Sequence, residues 1–277
     1  MSQVKNNPVK NKQSKNSIGL ALGSGAFRGF AHLGVIQVLQ EQEVSIDMIS
    51  GTSIGALVAA YYALYGEVDS LEEKILDQKS RIFRFSDFGL RGGLVSGNRY
   101  EKFIEHLLGK HTFNDTKIPL RIVATELSSG RPYVFSEGKL ATAVCASASV
   151  PVVFEPAKQQ RSRFVDGALS SPVPVDVLRE LGAKKIIAVN LYHRNEFTER
   201  KFTFTKVALR SVRIALYNLA QQAISDADLV LNPDTSYYVQ HTSPTQYFSR
   251  TIADQMIRIG RREANKKLID LRKLLKS

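Results

Sequence analysis

The chain is poor in cysteine, lacks acid near its first residue and has no long apolar run. A single cysteine, Cys145, excludes an internal disulfide framework and points to a reducing compartment. No apolar stretch approaches the ~18 residues of a membrane span. No His/Cys/Asp/Glu cluster carries metal-ligand spacing, so no metal is expected. No zinc-finger, recognition-helix or RNA-binding signature stands out, which ranks nucleic acid low as a partner. Residues 1–17 contain neither Asp nor Glu but carry Lys5, Lys10, Lys12 and Lys15. With no apolar core behind them they read as a disordered basic arm rather than a signal peptide, and a solubilising tail explains them as well as membrane steering does.

What is present is a chain of 277 residues, 43% apolar, with 38 basic against 26 acidic residues and a net charge of +12. That length is enough to bury a sizeable core. The positive balance favours an acidic partner, such as anionic lipid or an acidic protein, without choosing between them. Neither an internal repeat nor a domain boundary is visible. Residues 18–277 therefore read as one domain that closes on a basic helical segment.

The chain is organised around residues 46–64. The apolar segment 46–49 runs into Gly51-Thr52-Ser53-Ile54-Gly55, and an almost wholly apolar helix follows. A strand, a G-x-S-x-G turn and a helix make a nucleophile elbow, in which glycines two before and two after the serine give it room. Ser53 would sit at a helix N-terminus, where the dipole favours an anion. The plainer alternative is a strand-to-helix turn with a capping serine.

Upstream, 18–22 reads as a buried strand feeding Gly23-Ser24-Gly25-Ala26-Phe27-Arg28-Gly29 and then a helix with Ala31, Val35, Val38 and Leu39 on one face. A glycine-rich loop between strand and helix aims backbone N–H groups at an anion. A dinucleotide fingerprint fails because Arg28 stands where the third glycine belongs. A phosphate loop fails for want of the Lys-Ser or Lys-Thr pair. An oxyanion hole remains, with the serine elbow on the next strand.

Taken together, Gly23 to Gly29 and Gly51 to Gly55 resemble the patatin-like phospholipase family, and more closely its bacterial branch, which runs G-G-G-G-x-R-G, then G-x-S-x-G, then D-G-G/A. The resemblance extends through Ala146-Ser147-Ala148-Ser149-Val150-Pro151, Phe154-Glu155-Pro156, Asp166-Gly167-Ala168 and Pro172-Val173-Pro174-Val175, and covers roughly residues 18–232. It implies a Ser53–Asp166 dyad with Asp166 as base. It also implies an oxyanion hole from Ser24, Gly25 and Ala26, chiefly Gly25 and Ala26, an Arg28 that fixes the loop or attracts an acidic head group, and no cofactor. The sequence departs from the family at Ser24 and Ala26, where glycine is usual; a methyl group at Ala26 would narrow the site. The implied activity is hydrolysis of phospholipid, lysophospholipid or other fatty-acyl esters. The expected location is cytoplasmic, with peripheral contact to an anionic membrane as a further option.

Alternating strands and helices predict an α/β fold, a mostly parallel sheet between helical layers. Further helices are expected over 71–82, 100–108, 140–149, 202–224 and 249–275, and strands over 120–124, 132–135, 163–165, 185–190 and 228–231. In the long helix over 202–224, Leu209, Val212, Leu216, Leu219 and Ala223 are expected inward. Gly89, Gly92, Gly93 and Gly97, interleaved with Phe85, Phe88 and Leu90, suggest either a lid or a plain connection. Five histidines offer a different base. A conventional Ser-Asp-His esterase would use His193 or His241, although neither lies in a matching context, and His32 reads as packed. A non-catalytic regulator with the same fold and a nucleotide binder complete the alternatives.

Overall fold

The computed structural model describes residues 17–77, 97–197 and 203–276. Its eight-stranded sheet comprises β1 (Ile18–Leu22), β2 (Met48–Thr52), β3 (Leu120–Glu126), β4 (Pro132–Phe135), β5 (Ala157–Gln159), β6 (Ser162–Val165), β7 (Lys185–Val189) and β8 (Leu229–Leu231). The order is β5-β6-β3-β2-β1-β7-β8, with β4 also paired to β3. Strands β3, β2, β1, β7 and β8 pair in parallel, while β4 and β6 pair antiparallel to β3 and β5 pairs antiparallel to β6.

Every residue of β1, β2 and β7 is buried. Such strands read as continuous apolar runs because helices cover both faces. Side chains alternate between the two layers. Leu20, Leu22, Ile49, Ile187 and Val189 enter a large core built with α1 (Phe30–Glu41), α2 (Ile54–Tyr65), α3 (Asp69–Asp77), α4 (Gly97–Leu108) and α5 (Leu140–Ser147). Ala21, Met48, Ile186 and Ala188 enter a smaller core under α6 (Val175–Leu181) and α7 (Phe204–Ala223). The expected three-layer α/β/α arrangement is therefore what the chain forms. The chain leaves β1 through α1 toward β2, while β7 lies on the other side of β1. The crevice above their carboxyl ends is a topological switch point, where open α/β sheets place their sites.

Two helical expectations need correction. The segment 249–275 is two helices, α9 (Arg250–Lys266) and α10 (Leu268–Lys276), with α8 (Ser236–His241) before them. Helix α7 does not bury Leu209 and Val212, which are 64% and 52% exposed. The reason is length: about 30 Å of helix flanks β7, a strand of about 17 Å, so only its second half has sheet beneath it. Ala220 is accordingly buried and Leu216, Leu219 and Ala223 are half-buried. Helix α6 carries no local sequence signal at its start, where Pro172 and Pro174 mask it. The 71–82 helix is described to Asp77. The basic arm (except Ser17), and the glycine-hinged loop up to residue 96, lie outside the described residues.

Helix α9 lies directly on α1. A Cβ on Gly34 would come within 2.0 Å of the Ile257 carbonyl oxygen, and one on Gly260 within 2.0 Å of the Ala31 carbonyl oxygen. Two glycines thus let the helix backbones touch, and Ala253, Met256 and Ala264 join the large core. Gly260→Ala should push the helices apart and destabilise the fold by about 2 kcal/mol or more, measured by urea unfolding.

Candidate active site

Ser53 follows β2 and caps α2 with φ 57° and ψ −122°, a backbone that side-chain-bearing residues rarely adopt. The turn is as tight as the spacing of Gly51 and Gly55 implies. A Cβ on Gly51 would lie 2.4 Å from the Gly55 carbonyl oxygen, and one on Gly55 2.2 Å from that of Leu22. The N–H of Ser53 donates to Ser147 Oγ at 2.8 Å, and Ser147 Oγ donates to the Val123 carbonyl at 2.5 Å. Ser147 thereby ties the elbow to β3. Ser53 also closes the first turn of α2, its carbonyl accepting from Ala56 N–H at 2.9 Å, while the N–H groups ahead of that bond have no partner inside the helix.

Ser53 Oγ donates to Asp166 Oδ2 at 2.7 Å, across 113 residues of sequence. β6 brings Asp166 there. It pairs with β3 at Thr125 and Glu126, beyond Val123, where β2 stops pairing. Gly167 then packs on the Val123 carbonyl and the Thr52 side chain, with no room for a Cβ. Asp166 N–H donates to the Ser149 carbonyl at 2.9 Å, Thr125 Oγ1 donates to the Asp166 carbonyl at 2.9 Å, and Asp166 Oδ1 accepts from Ala168 N–H at 2.8 Å. Asp166 is buried. Burial pushes its carboxyl from 3.8 up to about 6, against the opposing pull of the Ala168 N–H and the Ser53 hydroxyl.

The glycine loop closes the other side. Arg28 N–H donates to the Gly25 carbonyl at 3.2 Å, so the N–H groups of Gly25 and Ala26 precede the first bond of that short 3-10 turn (Ala26–Gly29). Ala26 sits at φ 52°, the left-handed region where glycine would be unstrained. Ser24 leaves the expected donor set, because its N–H is taken by the Pro172 carbonyl at 2.8 Å. Its hydroxyl pairs with Tyr192 Oη at 2.7 Å. Arg28 is turned inward. It donates from Nε to the Gly25 carbonyl at 2.9 Å and from Nη1 to the Leu191 carbonyl at 2.9 Å and to Glu196 Oε1 at 2.5 Å, and it lies over the Tyr192 ring at 4.8 Å. Buried and met by Glu196, it braces the loop, and its charge is not presented to an acidic head group.

The histidines take up other positions. His32 is fully buried, its Nε2 2.7 Å from the Gly23 carbonyl; since a carbonyl only accepts, Nε2 carries the proton. Burial lowers its pKa to about 4. His193 Nδ1 accepts from Asn195 N–H and lies 3.6 Å from Asp234, while His241 Nδ1 lies 2.7 Å from the Tyr237 carbonyl. Among the described residues, no histidine bonds Ser53 or Asp166. Ser147, Tyr192 and Glu196 are site residues that sequence reasoning did not assign. Ser147 stood in the quoted Ala-Ser-Ala-Ser stretch, whereas nothing local marked the other two.

A model of the patatin-like phospholipase family matches residues 20–179, more than half of the chain. The chain belongs to the patatin-like phospholipase family. An uncharacterised NTE family protein of Mycobacterium tuberculosis is 33% identical over 181 residues, covering 64% of this chain and 50% of that protein. The lysophospholipase NTE1 of Mycosarcoma maydis is 30% identical over 192 residues, 67% of this chain and 10% of that protein. This patatin-like chain therefore spans about half the length of the mycobacterial relatives it matches. VipD of Legionella pneumophila has a similar fold, with a TM-score of 0.56 at 14% identity over 91% of this chain and 66% of that one. Among the described residues no helix is long and apolar enough to cross a membrane.

Two outcomes test the site electrostatics. Folded Asp166 holds its proton to about pH 6 and an ordinary aspartate only to 3.8, so its contribution to stability is greatest below 3.8 and is lost as pH rises through 6. Asp166→Asn should then raise the unfolding free energy at pH 7 by up to about 3 kcal/mol, with the gain vanishing near pH 4. His32 has the opposite sign: its contribution is present above 6.5 and lost as pH falls toward 4. His32→Gln should flatten that acid-side loss in thermal melts.

Proposed function

We propose that this chain is a serine hydrolase of lipid carboxylic esters that works through a Ser53–Asp166 dyad. The observation that carries the reading is the 2.7 Å bond from Ser53 Oγ to a buried carboxylate at the tip of a strained strand-to-helix turn. A plain capping serine needs neither the strain nor the carboxylate.

In the proposed reaction Ser53 Oγ attacks the ester carbonyl as its proton passes to Asp166 Oδ2. A carboxylate of ordinary pKa is a feeble base at neutral pH. One raised to about 6 is more basic and still mostly ionised at pH 7, the compromise a general base requires. The tetrahedral oxyanion is held by the N–H groups of Gly25 and Ala26 and by the N-terminal end of α2. The bonds of Arg28 and Tyr192 keep that loop in place before the charge develops. Asp166 returns its proton to the leaving alcohol, giving a Ser53 acyl-enzyme, and then activates the water that cleaves it. The family and the lysophospholipase relative support a fatty-acyl substrate.

A fluorophosphonate probe with peptide mapping tests the reading. Ser53 should be labelled, and hydrolysis of p-nitrophenyl butyrate should rise with pH through about 6. Ser53→Ala and Asp166→Asn should each lower kcat by at least about a thousandfold, while His193→Ala and His241→Ala retain activity. Loss of activity in a histidine variant would replace the dyad with a Ser-Asp-His triad.

A further inference from the structure

The rim of the site carries an unusual concentration of exposed apolar side chains. Three segments meet β6 or the Asp166 that follows it. The first is the 150–154 loop, which follows Ser149, whose carbonyl accepts from Asp166 N–H. The second is the turn after β3, where Leu127 N–H donates to the Arg163 carbonyl. The third is the 3-10 turn after Asp166, where Leu169 N–H donates to the Asp166 carbonyl. Each of them exposes large apolar groups: Val150, Val152 and Val153 on the loop, and Leu127 and Leu169 on the turns.

Val152, at the tip, is 84% exposed and has φ 72°. A β-branched residue in the left-handed region is a genuine outlier, and glycine would relieve it. At that exposure its side chain has little packing to offset the strain. The loop is nevertheless ordered at its base. Phe154 N–H donates to the Val150 carbonyl at 3.0 Å, and the Phe154 ring stacks on Tyr100 at 4.3 Å. The following hairpin of β5 and β6 exposes Lys158, Arg161 and Arg163, against the single exposed acid Glu155 between loop and hairpin.

We propose that the 150–154 loop, with Leu127 and Leu169, is an interfacial anchor that inserts into an anionic lipid bilayer and sets the mouth of the Ser53 site against it. An apolar tip beside a basic hairpin matches the two layers of such a surface, acyl chains below and phosphates above. The chain's net charge of +12 acts in the same direction over longer range. The proposal rests on the reading of the site as a lipid ester hydrolase and adds which residues meet the lipid.

Co-sedimentation of the full chain with vesicles of phosphatidylglycerol and phosphatidylcholine, and with phosphatidylcholine alone, tests it. The Ser53→Ala background leaves the lipid intact, so docking is read apart from hydrolysis. That protein should bind the anionic vesicles, and adding Val152→Asp and Val153→Asp should lower its partition coefficient roughly tenfold. With Ser53 present, the same pair should leave p-nitrophenyl butyrate hydrolysis unchanged. Val152→Gly guards against a folding artefact, since it should hold or raise Tm and still weaken binding by roughly threefold. Equal binding by the aspartate pair overturns the proposal. So does the absence of sedimentation with either vesicle, which would assign the patch to a protein partner. Sedimentation that persists while the wild type cleaves no ester would remove the hydrolase reading and leave the surface standing.

Discussion

A carboxylate taken out of water is the constraint on which this structure turns. Among the described residues no cation bonds Asp166; its oxygens meet the Ala168 N–H and the Ser53 hydroxyl, both neutral donors. Neutral donors compensate a buried charge only in part, so the carboxyl holds its proton more tightly than in water. Everything around it serves to keep it there. Ser149 and Thr125 hold its backbone, Gly167 lets its chain press on β3, and the Thr52 hydroxyl donates to the Ser171 carbonyl at 2.8 Å to secure the exit. Stability is given up at the same atoms that make the group basic, the pattern expected where a fold is shaped by what it does.

The loop opposite follows a different logic. Where glycine is usual in the family, this chain has Ser24 and Ala26, and the two differ in consequence. Ser24 gains a partner, the Tyr192 hydroxyl, itself held by burial with a pKa of about 12 and so a neutral donor or acceptor. Ala26 gains none and carries backbone strain at φ 52°. The loop is thus cross-linked by the segment that follows β7, through the Leu191 carbonyl and the Tyr192 and Glu196 side chains. Rigidity that other sequences could draw from a tighter glycine turn is supplied here by a small polar network.

Local signals made much of this legible. The G-x-S-x-G spacing identified the elbow because its glycines answer a steric need that any reader of the chain can state. The apolar runs at 18–22 and 185–190 gave buried parallel strands for the same kind of reason. The pairing of Ser53 with Asp166 was a different matter. No periodicity connects residues 113 apart, and it came from resemblance alone, as an aspartate in a Gly-Ala turn is ordinarily just a turn residue. Long-range supports were invisible in principle. Ser147 acts through a backbone N–H, and Glu196 through an arginine 168 positions away. The exposed half of α7 was misread because an amphipathic pattern reports a face, while how far the sheet extends beneath it is set by strand length elsewhere.

The contact of α1 with α9 has a consequence in time as well as in space. Helix α1 directly follows the glycine loop and carries His32, which holds the Gly23 carbonyl. Its partner surface is supplied by residues such as Arg261, which meets Gln37 across 224 positions of sequence. Contacts of such separation close late, because the entropy of a very long loop must be spent before they form. During synthesis the elbow and its aspartate will already have emerged while α1 still lacks its cover. By this order of assembly α1, and the glycine loop it follows, gain their full support only once α9 has been made.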